Sequence, residues 1–102
     1  MGAYTNVTTS PTTTTLIAKS SIKKGSIKKI TIANFSDHAD GATVNVWWNL
    51  DGTSTDYYII KNVVIPKGAT LVLEDNLAFD RSKYVLKMLN TGTSPALTVI
   101  IK

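Results

Sequence analysis

The one histidine of this chain, His38, stands in the run Ser36-Asp37-His38-Ala39-Asp40-Gly41, where an imidazole and two carboxylates are close neighbours. That grouping could hold a metal ion in principle. Structural zinc sites draw mostly on cysteine and several histidines, and this chain has no cysteine. A calcium loop of the EF-hand kind needs further carboxylates at fixed spacing and a distal glutamate, which the run lacks. The run therefore reads as an exposed turn, and no metal is expected. Nucleophilic catalysis needs a nucleophile, a base and a group that orients the base; one His and no Gly-x-Ser-x-Gly do not make one. Most of the seven acids, Asp37, Asp40, Asp51, Asp56, Asp75 and Asp80, fall in turns and only Glu74 ends a strand, so no carboxylate pair suggests glycoside hydrolysis. Lys24-Gly25-Ser26 lacks the upstream glycine of a phosphate loop. The expectation is a protein that is not an enzyme, with catalytic residues none, metal none and cofactors none.

Recognition chemistry is better represented. Trp47 and Trp48 are adjacent, so a strand must send them to opposite faces. Trp48 shares its face with Val44, Val46 and Leu50 and belongs in a core. Trp47 alternates with Asn45 and Asn49 and is expected at the surface, where an indole can anchor a protein interface or stack on a sugar. Five of the eleven basic residues lie between Lys19 and Lys29, in a chain of net charge +4. Lys23, Lys24, Lys28 and Lys29 could face an acidic partner. A single-stranded nucleic-acid surface would need aromatics exposed beside these cations, whereas most aromatics here fall on apolar faces, so nucleic acid is not the expected partner.

These residues are positioned by short strands. The stretch from Ala42 to Gly68 gives a strand to Leu50, an Asp51-Gly52 turn, a second strand from Asp56 to Val64, and a Pro66-Lys67-Gly68 turn. Around it, Thr15 to Ala18, Ile27 to Phe35, Ala69 to Glu74, Tyr84 to Asn90 and Ala96 to Ile101 read as further short strands, with period-two alternation in Ile27 to Phe35 and Tyr84 to Asn90. Gly25 suggests a turn or bulge, and Asp75 to Ser82 a corner in which Leu77 and Phe79 plug one end of the molecule. No segment shows helical periodicity. With 102 residues and 43% hydrophobic content, the chain is one domain: an all-β antiparallel β-sandwich, jelly-roll or immunoglobulin-like, of seven or eight short strands. Residues 1–15, rich in Thr and Ser, read as an extended N-terminal arm that either is disordered or adds to a neighbouring subunit, and residues 16–102 as the sandwich. Tyr4 and Val7 are the arm's only sizeable apolar groups and its expected contacts. Deleting residues 2–15 is then expected to leave the domain folded. No apolar run is long enough for a membrane helix, and the first residues do not make a signal peptide. Asn6-Val7-Thr8 and Asn34-Phe35-Ser36 match the glycosylation pattern by form only.

The order of features resembles a group of small β-sandwich virion structural proteins of tailed bacteriophages. The resemblance is carried by the arm Tyr4-Thr5-Asn6-Val7-Thr8-Thr9-Ser10-Pro11, by Ile30-Thr31-Ile32-Ala33-Asn34, by Gly41-Ala42-Thr43-Val44-Asn45-Val46, and by Val64-Ile65-Pro66-Lys67-Gly68-Ala69-Thr70-Leu71-Val72-Leu73. It spans nearly the whole chain, though the Trp pair and the lysine cluster stand outside the pattern. It implies a capsid decoration (cement) protein, or a neck, tail or fibre component, made in the host cytoplasm and located in the virion. Its partners would be capsid or tail subunits, with a homo-oligomer expected. Tyr4, Val7, Lys23, Lys24, Lys28, Lys29 and Trp47 form the expected protein interface. The alternative is a carbohydrate- or receptor-binding module built on Trp47 and the loop from Asp51 to Asp56.

Overall fold

The computed structural model describes residues 3–102. It has eight strands: β1 (Ala3–Val7), β2 (Thr12–Ile17), β3 (Lys24–Asn34), β4 (Ala42–Leu50), β5 (Asp56–Ile65), β6 (Thr70–Asp80), β7 (Tyr84–Thr91) and β8 (Leu97–Ile101). They form two four-stranded sheets, ordered β1-β8-β3-β6 and β2-β7-β4-β5, and every pairing is antiparallel. The chain changes sheet at each connection except the β4–β5 hairpin. Eight strands wound in this way make a jelly roll, which decides between the two sandwich types left open by the sequence.

Alternation builds the core. Leu97, Val99 and Ile101 of β8 and Ile30 and Ile32 of β3 face inward from the first sheet. Val44 and Val46 of β4 and Leu86 and Met88 of β7 meet them from the second. Each is buried, and each such side chain contributes about 1.5–3 kcal/mol of transfer free energy. A bulge between Ile27 and Lys29 lets Ile27 and Ile30, three residues apart, both turn inward. A second bulge in β2, between Thr15 and Ile17, buries both Leu16 and Ile17.

Of the arm expected over residues 1–15, the described part, residues 3–15, belongs to the sandwich. Met1 and Gly2 lie outside the described residues. From Ala3 onward the chain pairs with β8 in the first sheet, and from Thr12 with β7 in the second. Threonine hid β1 and the first half of β2, whose end the strand expected from Thr15 overlaps: it is polar enough to resemble linker, yet its branched Cβ suits a half-buried ladder. Asn90 secures their connection, its Nδ2 donating to the Thr9 carbonyl at 2.8 Å. Removing residues 2–15 would thus strip an edge strand from each sheet. The supposed corner at Asp75–Ser82 is also mostly strand, since β6 runs to Asp80 opposite Lys24. Gly25 lies within β3 rather than in a turn.

Buried asparagines fix the irregular points. Asn34 donates from Nδ2 to the Ile65 carbonyl at 2.9 Å, and its Oδ1 accepts from the Ser36 N–H at 3.1 Å. Its amide is thereby occupied inside the fold, which removes Asn34 as a glycan acceptor. Asn45 Oδ1 accepts the N–H of Asn62 at 2.9 Å, where β5 bulges and Asn62 takes a φ of 54°. Asn tolerates that left-handed conformation better than most residues. Asn49 donates to Asp56 Oδ1 at 2.7 Å and closes the base of the β4–β5 loop.

Candidate interaction surfaces

The seven expected interface residues are dispersed. Tyr4 is 70% exposed on the outer side of the first sheet. Val7, three residues on, points the other way and is buried opposite Leu97, so it is a core residue and no contact for a partner. Lys23 and Lys24 are exposed just before and at the start of β3, and Lys28 lies in its bulge with Lys29 directly after, roughly 15 Å further along at strand rise.

Trp47 is the main correction among them. It does lie on the outer face of the second sheet, as alternation requires, but it is only 8% exposed. Tyr58 on β5, its direct cross-strand neighbour, covers it with ring centroids 5.6 Å apart, and Lys87 stands opposite on β7. Lys61 Nζ lies 4.5 Å from the centre of the Tyr58 ring. The surface there belongs to Tyr58 and Lys61, while the indole is sealed beneath. Trp48 faces inward but sits towards one end of the sandwich, partly buried against the core.

Two surfaces emerge from the geometry. The first is the outer face of β1-β8-β3-β6. Cross-strand register lines up Tyr4, Ile100, Thr31 and Val72 in one row across all four strands. Asn6, Thr98, Ala33 and Thr70 form the next row, with Thr98 Oγ1 donating to Asn6 Oδ1 at 2.8 Å. Tyr4 and Val72 are exposed, and Lys29 and Lys102 border the Thr31–Ile100 pair. An apolar row with cations at its margin suits contact with an acidic protein surface.

The second surface lies at the end of the sandwich where β4 and β6 finish and β3, β5 and β7 begin. There the rings of Trp48 and Phe79, from opposite sheets, lie 4.2 Å apart, and Tyr57 meets Tyr84 edge-on at 6.3 Å. With Ala78 these four aromatics line a cleft of about 250 Å³ between the sheets. The Phe79 ring occupies the space where a Cβ on Gly25 would stand, at 2.6 Å from its Cζ, which explains a glycine inside β3. Backbone hydrogen bonds draw cations to this end. Arg81 N–H donates to the Lys23 carbonyl at 2.8 Å, and Asp51 N–H to the Lys83 carbonyl at 2.9 Å. Lys19 Nζ lies 3.5 Å from Asp51 Oδ2. The Asp80 carboxyl is held below its ordinary range by the hydroxyl and the N–H of Ser82, with Lys83 and Lys23 adding to the effect. Sequence reading missed this assembly because its members come from four separate strands and no local pattern joins them.

His38 remains in its loop, where Nδ1 accepts the Asp40 N–H at 3.2 Å. Among the described residues, no group of three or more His, Asp or Glu side chains is arranged to hold a metal ion.

The fold has a counterpart among solved structures. The chain is similar to one in a structure of infectious bursal disease virus, Gx strain, with a TM-score of 0.54 and 12% identity over 99% of its own length. It spans about a third of that longer viral chain, 33%. At this identity the likeness is one of fold. No protein-family model matches the chain. No curated protein matches it either.

Proposed function

We propose that this chain is a non-enzymatic structural protein of a virus particle that docks on neighbouring virion subunits. The specific role we assign is capsid decoration, or cement, in a tailed bacteriophage. The observation that supports the reading is the likeness in fold, over 99% of this jelly-roll chain, to part of a chain in a virus structure. The phage-like order of sequence features agrees with it. Docking uses the outer face of β1-β8-β3-β6. There the Tyr4-Ile100-Thr31-Val72 row supplies apolar contact, and Lys28, Lys29 and Lys102 supply attraction to acidic capsid or tail subunits. Copies of the chain associate as a closed homo-oligomer, the usual solution for symmetric assemblies.

The reading is tested by quantitative mass spectrometry of gradient-purified particles. A structural protein co-sediments with the shell at a fixed copy number per particle, and the Tyr4→Ala variant is depleted from it. Recovery of the wild-type chain only from the soluble fraction of the gradient overturns the proposal.

A further inference from the structure

The aromatic end of the sandwich lies further along β3 and β6 from the Tyr4–Val72 row, and its chemistry points to a ligand of its own. We propose that it binds a saccharide carrying a carboxylate or sulfate group, a site that stands independently of the particle role. Trp48, Tyr57, Phe79 and Tyr84 together line one cleft of about 250 Å³, an aromatic wall whose side chains also carry two Tyr hydroxyls and an indole N–H. Sugar rings have apolar C–H faces edged by hydroxyls and match such a lining. A shallower depression of about 530 Å³ shares Ala78 and Phe79 with the cleft and is lined by Lys23, Lys24, Ser26 and Asp80. Lys83 directly precedes Tyr84 in the chain. The cations attract an anionic substituent, while Asp80 and Ser26 offer acceptors and a donor to hydroxyls.

Single-stranded nucleic acid fits less well. Its binding surfaces stack successive bases on exposed aromatics along a continuous cationic groove. Here the rings converge on one cleft between two sheets, and Asp51, Asp56 and Asp80 interrupt the cations. The geometry is that of a pocket for one or two rings.

The experiment is a titration of the intact protein, followed by tryptophan fluorescence and by calorimetry. The probes are a heparin-derived tetrasaccharide, a galacturonate tetrasaccharide, neutral maltotetraose and oligo-dT. The proposal expects at least one acidic saccharide to bind about tenfold or more tighter than maltotetraose, with affinity falling as salt rises. Tyr57→Ala, at an exposed position, and Lys24→Ala should each weaken that binding by about tenfold while leaving the unfolding midpoint unchanged. Tighter binding of oligo-dT than of either acidic saccharide, wild-type affinity in Tyr57→Ala, or no saccharide binding at millimolar concentration would each overturn it.

Discussion

The side-chain amide of Asn34 in β3 donates to the backbone carbonyl of Ile65 at the end of β5, 2.9 Å away and in the other sheet. The same residue receives the Gly68 N–H on its own carbonyl at 2.8 Å, and its N–H donates to Ala69 at 2.9 Å. One asparagine thus ties the β5–β6 corner to the end of β3. Asn34→Ala leaves the Ile65 carbonyl without this partner in a buried setting and should cost about 1–3 kcal/mol. Urea unfolding measures it, with a lower midpoint at an unchanged slope.

Trp47 is the second test, because its burial reverses its expected role. Beneath Tyr58 it acts as a small outer core for the second sheet. Trp47→Ala should reduce stability by about 3 kcal/mol. Tyr58→Ala should also expose the indole, seen as a red shift in tryptophan emission. A Trp47→Ala protein as stable as the wild type would show that the ring contributes little to the fold.

Tyr4 and Val7 lie three residues apart on β1 and should separate docking from folding. Tyr4→Ala is expected within about 0.5 kcal/mol of wild-type stability, as is usual for exposed positions. Val7→Asp places a charge opposite Leu97 in the core and should prevent folding. Circular dichroism with thermal melts distinguishes the two.

Asp80 makes the acid limb of stability testable. Its folded pKa is depressed, so the stability it supplies is present above the ordinary carboxylate range and is lost as pH falls through the folded value. Asp80→Asn should therefore be less stable than the wild type at neutral pH, with the difference narrowing below about pH 3.9. Parallel unfolding curves across the acid range check the sign.

The fold was readable where hydrophobic alternation is strong. Val44, Val46 and Leu50 announced β4, and the strands around Ile30, Leu86 and Val99 carried the same period. Boundaries failed where physics other than hydrophobicity decides. β1 and β2 owe their places to backbone pairing with β8 and β7, and threonine gives little hydropathy signal. Trp47 sat on the face that alternation assigned to it, yet burial there depends on Tyr58 from a neighbouring strand, which only the register reveals. The aromatic end was illegible for the same reason: Trp48 and Phe79 are far apart in sequence and meet across the two sheets.

The position of β8 has a consequence for how the protein is made. It is the last of the eight strands in chain order, yet it lies inside its sheet, between β1 and β3. Until it leaves the ribosome, both of those strands present raw edges, and the inward faces of Ile30 and Ile32 lack the companions that β8 supplies. Chains grow at roughly 5–20 residues per second, so each nascent copy spends seconds in that unfinished state. The first sheet, and with it the row from Tyr4 to Val72, closes only once β8 has been made, so any docking by that face must follow the synthesis of β8.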